Sequence, residues 1–260
     1  TDGDVVMAPQ ALRLSMRYVM AKKLDHFCLF PSMETHSWSE RVLVSFFAML
    51  FAFGTRPWLR RSGKGAGQKP GRLRGRTGYY GIGAFNLVRR DTFDAVGGFE
   101  PLRMDILDDV KLGKLLFLNG ASADYLVAGP EVSVRWQDSA WGVICGLEKN
   151  AFASMDYSLL KLLGFTLFYS AIFLAPCGAI FVASGNSLIP FVAELVLLHV
   201  TLSRLSISFG GSWLVLPGLI PASMAVLFAF WRSAALRLRN GGVRWRETFY
   251  PIDQLRDSIY

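Results

Sequence analysis

Two pairs of carboxylates stand out by their spacing in this 260-residue chain. The first is Asp2-Gly3-Asp4, within TDGDVVMAP at residues 1–9. In an extended segment, residues i and i+2 point to the same side. Two carboxylates so placed around a small residue can ligate a hard divalent cation through oxygen, and that cation can hold a diphosphate. For so short a string, taken alone, a solvated turn is the simpler reading. The second pair is Asp108-Asp109, inside DILDDVKLGKLLFLNG at 105–120. The macrodipole and the free backbone N–H groups favour carboxylates at a helix start, so an ordinary first turn explains them. The functional reading is a general base that takes a proton from an acceptor hydroxyl.

Basic groups follow. Arg135-Trp136 and Lys149-Asn150 precede a long apolar region. They read either as interfacial anchors or as fixed positive charge that stabilises a leaving diphosphate. Glu194 and His199 sit in an apolar stretch, where ionisable groups mark function by default. Five residues apart is not one helical face, so no joint role is expected. His26 and His36 have no ligand-like partners in the sequence. Cys28, Cys145 and Cys177 form no CxxC pair and no even set, so neither a disulfide framework nor a zinc site is expected.

The elements that must position these groups read as follows. Residues 1–6 predict the end of a strand and the loop after it. Residues 9–25 have helical spacing, with Leu12, Met16, Val19, Met20 and Leu24 on one face and Arg and Lys opposite. HFCLFPSM (26–33) is a short strand. Residues 37–54 begin with a capping pattern, Ser37 or Ser39 before Glu40, and turn very apolar. The uncharged core of that stretch is short for a span of about 20 residues, which predicts an interfacial helix with Trp38 and Trp58 at headgroup level. A basic, glycine-rich, mobile loop is expected over about 55–78. AFNLVRR is a strand, RDTFDAVGGF a short helix stopped by Gly97-Gly98, and 105–120 a helix ended by Asn119-Gly120. ADYLVAG and EVSVRW are strand-like, and 139–155 is an amphipathic helix.

Composition shifts after residue 155. From Leu159 to Trp231 the only Asp, Glu, Lys or Arg residues are Lys161, Glu194 and Arg204. Mean hydropathy over the whole chain is +0.32, and this region reads as membrane. The segments are Leu159–Ala183, expected to be a transmembrane helix, Leu188–Phe209, and Trp213–Trp231, split by Pro217 and Pro221. Net charge is +8. The stretch 55–76 holds eight basic residues and no acid, and 231–247 holds five arginines. Beside apolar spans, such patches point to anionic headgroups and cytoplasmic retention rather than to nucleic acid. Three crossings would put residue 155 and the arginine-rich tail on opposite sides, against the positive-inside rule. A re-entrant or interfacial segment would restore even parity.

The order of these features says more than any one of them. TDGDVVMAP, GIGAFNLVRRDTFDAVGGFE, DILDDVKLGKLLFLNG, VRWQDSAWGVICGLEKNAFA and GGVRWRETFYPIDQLR together resemble the second half of a polytopic family 2 glycosyltransferase, in the ceramide-glucosyltransferase-like and hopanoid-associated subgroup. The resemblance implies an α/β fold (a partial, Rossmann-like GT-A domain) followed by α-helical transmembrane segments. The implied domains are 1–155 for the transferase part, 156–235 for the membrane helices and 236–260 for a basic tail. It implies an inverting transfer from a nucleotide-sugar to a lipid hydroxyl at the cytoplasmic face of a bacterial inner membrane, with Mg²⁺ or Mn²⁺. On that resemblance Asp2 and Asp4 match the metal and diphosphate motif. Asp109, with Asp108 beside it, matches the acidic pair that holds the base. Arg135, Trp136 and Lys149 fall to the donor diphosphate. Gly81, Gly83, Ala84 and Phe85 fall to the strand on the acceptor side. Two departures stand out. EVSVRW supplies only the Arg-Trp of the family's QxxRW motif, and the strands that hold the nucleotide should precede the DGD. The expectation is therefore a fragment of a longer protein, inactive by itself. The alternatives are a non-catalytic membrane anchor derived from such an enzyme and, more remotely, a small transporter.

Overall fold

The computed structural model describes residues 1–56, 59, 78–103, 105–208, 213, 215–245 and 248–257. The expected mobile loop lies, apart from its ends and Leu59, outside the described residues, as does Trp58. The chain is mixed α/β and divides into two compact units: Thr1–Glu34 with Leu50–Trp136, and Thr35–Met49 with Gln137–Tyr260.

The first unit holds two small sheets. One has the order β1 (Val5–Met7), β6 (Val132–Val134), β3 (Ser32–Met33), with β1 antiparallel and β3 parallel to β6. The other places β2 (His26–Phe30) between β4 (Asn86–Val88), antiparallel, and β5 (Ala123–Val127), parallel. β2 is central because HFCLF offers apolar bulk to both faces and four of its five residues are buried. Its core joins Leu24, Phe27 and Leu29 to Phe85, Ala128 and Val132.

Three helices belong to this unit. α1 (Ala11–Lys22) turns Ala11 and Ser15 inward, with Tyr18 and Val19 packed against the core. This corrects the expected face: Leu12, Met16 and Met20 are exposed. The core of this unit admits the small Ala11 and Ser15 close to the sheet, so the bulkier stripe is left outside. α3 (Arg90–Ala95) ends at Gly97 and Gly98, both at positive φ. α4 (Asp108–Leu118) begins at the acidic pair rather than at Asp105 and buries Leu112, Gly113, Leu116 and Phe117.

A second correction concerns the start of the chain. Gly3 and Asp4 form a turn, and the strand follows them instead of preceding them. The extended-strand reason for pairing Asp2 with Asp4 therefore does not hold.

α2 (Trp38–Thr55) contributes residues to both units. Its start is a reciprocal cap. The Ser37 hydroxyl accepts from the Glu40 N–H at 3.2 Å, and the Glu40 carboxylate accepts from the N–H groups of His36 and Ser37 at 3.0 and 3.3 Å. Val42, Leu43, Val44, Phe46 and Met49 are all buried. Protein thus encloses the middle of a helix that was expected to lie on a bilayer, and Trp38 and Phe53 are its exposed large residues.

The rest of the second unit is helical. It contains α5 (Ala140–Ser154), capped by Ser139, then α6 (Leu159–Phe173), α7 (Ala175–Ala179), α8 (Ile189–Ser208) and α9 (Leu219–Asn240). A hairpin of β7 (Gly242–Trp245) and β8 (Thr248–Pro251) and the short α10 (Ile252–Asp257) close it. The first apolar segment is not one spanning helix. Pro176 has no N–H to continue the ladder, and the 15-residue α6 stops at Phe173. Fifteen residues reach about 22 Å, short of a hydrocarbon core of about 30 Å. Among the described residues, two helical stretches are long and apolar enough to cross a membrane: Gly185–Ser208 and Leu219–Asn240. Pro221 does not split the second. It sits in the first turn of α9, where a missing N–H costs nothing.

α9 runs on past Trp231 and packs on α5 through a buried serine. The Ser233 hydroxyl donates to the Glu148 carbonyl and accepts from the Phe152 N–H at 3.1 Å. Arg232 pairs with Glu148 at 2.8 Å and lies over the Trp141 ring. Ser233→Ala is expected to cost about 1–2 kcal/mol, the usual range for a buried hydrogen-bonding group removed from its partners. Chemical denaturation in detergent would measure it.

Candidate functional site

The site is built in the first unit from four segments that meet through backbone. The Asp2 N–H donates to the Gly83 carbonyl at 2.9 Å, and the Thr1 hydroxyl donates to the Ala84 carbonyl at 2.8 Å. The Gly83 N–H in turn donates to the Asp109 carboxylate at 2.9 Å. Gly83 is thus held from both sides, by Asp2 at its carbonyl and by Asp109 at its amide. The β1–β6 register pairs Val5 with Val134. The next residues along that register are Asp4 and Arg135, so the Arg-Trp pair follows the strand that borders the DGD.

Glycine makes this approach possible. A Cβ at Gly81 would overlap the Asp109 carbonyl, and a Cβ at Gly113 would overlap the Tyr80 carbonyl. One face of α4, carrying Asp109 and Gly113 one turn apart, therefore lies directly against the backbone of Tyr80–Gly81. A Cβ at Gly83 would strike the Asp2 carboxylate, whereas one at Gly3 meets open space.

The electrostatics follow from that contact. Burial pushes the Asp109 carboxyl above the usual carboxylate range. The N–H groups of Val110 (2.7 Å) and Gly83 pull it back, while the charges of Asp108 and Asp2 add to the rise. Asp2, Asp4 and Asp108 are exposed, and the Asp2 carboxylate accepts no hydrogen bond among the described residues. A half-buried carboxyl held above the usual carboxylate range, beside exposed carboxylates, is suited to accept a proton from a hydroxyl.

The candidate residues divide accordingly. Asp2, Asp4, Gly81, Gly83, Asp108, Asp109, Arg135 and Trp136 all belong to the first unit. Ala84 and Phe85 are buried, and the Phe85 ring stands edge-on to Phe27 at 6.5 Å. Their side chains serve the core instead of facing an acceptor. Lys149 lies on α5 in the other unit. His199 turns Nδ1 to the Leu195 carbonyl at 2.6 Å within its own helix, and nothing pairs it with Glu194.

Sequence reasoning missed three features. Gly113 was visible only as the glycine of DDVKLG; its role needs the opposing Tyr80 carbonyl. Lys111 approaches Asp105 to 3.8 Å, both side chains mostly enclosed, at the start of α4. Beneath the glycine segment, His26 Nε2 meets the Asn86 side-chain oxygen at 2.7 Å and the Cys28 sulfur at 3.2 Å. Burial drives the Cys28 thiol far up, so it is neutral. Nearby, a narrow recess with room for no more than about one water molecule is lined by His26, Tyr79, Tyr80, Gly113 and Phe117, among others.

No cluster of three or more His, Cys, Asp or Glu side chains is present among the described residues. A Mg²⁺- or Mn²⁺-type ion that also binds substrate phosphates needs only one or two carboxylates from the protein. Asp2 and Asp4 are hard oxygen donors, open to solvent, and fit that requirement. Comparison with protein-family models, with curated proteins and with solved structures finds no match to this chain.

Proposed function

We propose that the chain is the catalytic and membrane-bearing part of an inverting glycosyltransferase. It would move a sugar from a nucleotide-sugar to the hydroxyl of a lipid or lipid-linked acceptor. The observation that carries this reading is the shared glycine: Asp2 and Asp109, more than a hundred residues apart in sequence, meet at Gly83. Asp2 and Asp4 would hold a divalent cation, whose charge would balance the donor diphosphate. Asp109 takes the proton of the acceptor hydroxyl. The acceptor oxygen forms the new bond to the anomeric carbon as the bond from that carbon to the diphosphate breaks. The nucleoside diphosphate leaves with the electron pair. Arg135 and Trp136, following β6, would meet the negative charge that grows on the leaving group.

The membrane part fits the same reading. Two crossings, by α8 and α9, return the chain to its starting side. The segment before α8 and the arginine-bearing end of α9 then both face the cytoplasm, as the positive-inside rule requires. A non-catalytic anchor derived from such an enzyme is the second reading, favoured by the solitary Arg-Trp.

The test is product formation by the full-length native protein in lipid nanodiscs, supplied with a panel of nucleotide-sugars and a lipid extract. Nucleoside diphosphate released in step with a new glycolipid, and dependent on Mn²⁺ or Mg²⁺, is expected. Failure to release diphosphate from any donor would leave the anchor reading in place.

A further inference from the structure

α1 carries an apolar stripe that the described residues leave exposed. Leu12, Met16 and Met20 follow one another at one-turn spacing and are 56%, 39% and 71% exposed. They adjoin the buried side of the helix, and the next positions around it are the exposed Arg13 and Arg17. Exposed Lys22 and Lys23 close the C-terminal end, and residues 10–24 contain no acid. One exposed leucine needs no explanation. Three large apolar side chains in line, with the protein core on one side and arginines on the other, form the pattern of a helix lying at an anionic lipid surface, with apolar side chains in the acyl boundary and cations at the phosphates.

We infer that α1 is a second membrane contact, one that docks the first unit on an anionic leaflet independently of the spanning helices. Charge complementarity selects lipid over a protein partner. A protein groove would match the apolar stripe, but Arg13 and Arg17 along it and Lys22 and Lys23 at its end, with no acid over residues 10–24, match a negative lipid surface. Other arms of the chain share the sign, since the last turn of α9 carries Arg237 and Arg239. The inference rests on attachment of this chain to a membrane and not on its being a transferase.

The test uses nitroxide labels on the full chain in nanodiscs. Cys145→Ser and Cys177→Ser remove the accessible native thiols, and Cys28 is buried. Single cysteines are introduced as Met16→Cys on the stripe and Ala21→Cys on the opposite, exposed side. In nanodiscs with phosphatidylglycerol, the label at 16 is expected to be open to oxygen and shielded from a water-soluble nickel chelate, while the label at 21 stays open to nickel. Arg13→Gln with Arg17→Gln removes two cations and should weaken docking by roughly thirtyfold at about 1 kcal/mol each, restoring nickel access at 16. Equal nickel access at 16 and 21 in anionic nanodiscs would overturn the inference. So would exclusion of both probes from 16 in neutral and anionic nanodiscs alike, which would mean that protein covers the stripe. Retention of each variant in the nanodisc fraction reads membrane attachment separately.

Discussion

Gly81→Ala is expected to lower the stability of the first unit by about 3 kcal/mol, near the upper end for overpacking. The added methyl would occupy the place of the Asp109 carbonyl, which α4 holds rigidly. A backbone group inside a helix cannot swing aside as a side-chain tip can. Either α4 moves away from Tyr80–Gly83 or the segment buckles, and both break the Gly83–Asp109 hydrogen bond. Gly113→Ala, which strikes the Tyr80 carbonyl from the other side, should do the same. Gly83→Ala differs in kind. The atoms nearest its methyl are those of the Asp2 carboxylate, which can turn away. Stability should change by about 1 kcal/mol or less, as at a site that relaxes by side-chain rotation, while cation binding by Asp2 is weakened. Gly3→Ala, facing open space, serves as the neutral control. Thermal unfolding of the four variants side by side gives the ranking. Equal stability of Gly81→Ala and Gly3→Ala would show that α4 does not press on this segment.

On the proposed function, Asp109→Asn is expected to reduce sugar transfer about a thousandfold, within the usual range for a general base, with donor affinity nearly unchanged. The separation follows from position: Asp109 is tied to Gly83 and Val110, and the proposed metal ligands are other residues. The variant is not silent structurally. The carboxylate offers one oxygen to each backbone N–H, and an amide offers a single oxygen for the two donors. The pH dependence has a definite sign. The folded-state value is raised by burial, so the working, ionised base appears only as pH rises through that raised value, and the acid limb of the rate lies above the ordinary carboxylate range. For stability the contribution of Asp109 is fully present below its unfolded value and is lost as pH rises through the folded one. Asp109→Asn should remove that slope. Parallel loss of donor binding and rate would argue that Asp109 binds instead of acting as a base.

Much of the first unit was legible because local rules agreed. The glycine stop after α3, the strands around HFCLF and ADYLV, and the acidic start of α4 each follow from turn chemistry or apolar runs. The misreadings have a common cause. The largest apolar residues of α1 predict its inner face, yet Ala11 and Ser15 fit closest to the core. Leu159–Ala183 was counted as one span by composition, although Pro176 interrupts the hydrogen-bond ladder inside it. The DGD was paired by strand geometry, yet residues 3–4 are a turn. What joins Asp2 to Asp109 is a hydrogen bond on each side of Gly83, and such long-range backbone contacts leave no periodic trace in a sequence. The glycines at 81 and 83 showed that something approaches closely there. That it is the first turn of α4 required the fold.

The most direct measurement of the central claim, that Asp2-Gly3-Asp4 and Asp109 are halves of one metal-assisted transfer site, is Mn²⁺ binding followed by electron paramagnetic resonance. Inorganic pyrophosphate is the second ligand, because it reports the metal and diphosphate position without needing a nucleoside pocket. Mn²⁺ bound at one site, tightened by pyrophosphate, released by Asp2→Asn with Asp4→Asn and weakened by Gly83→Ala is the expected result. Mn²⁺ binding that ignores pyrophosphate and survives the loss of both aspartates would contradict the account.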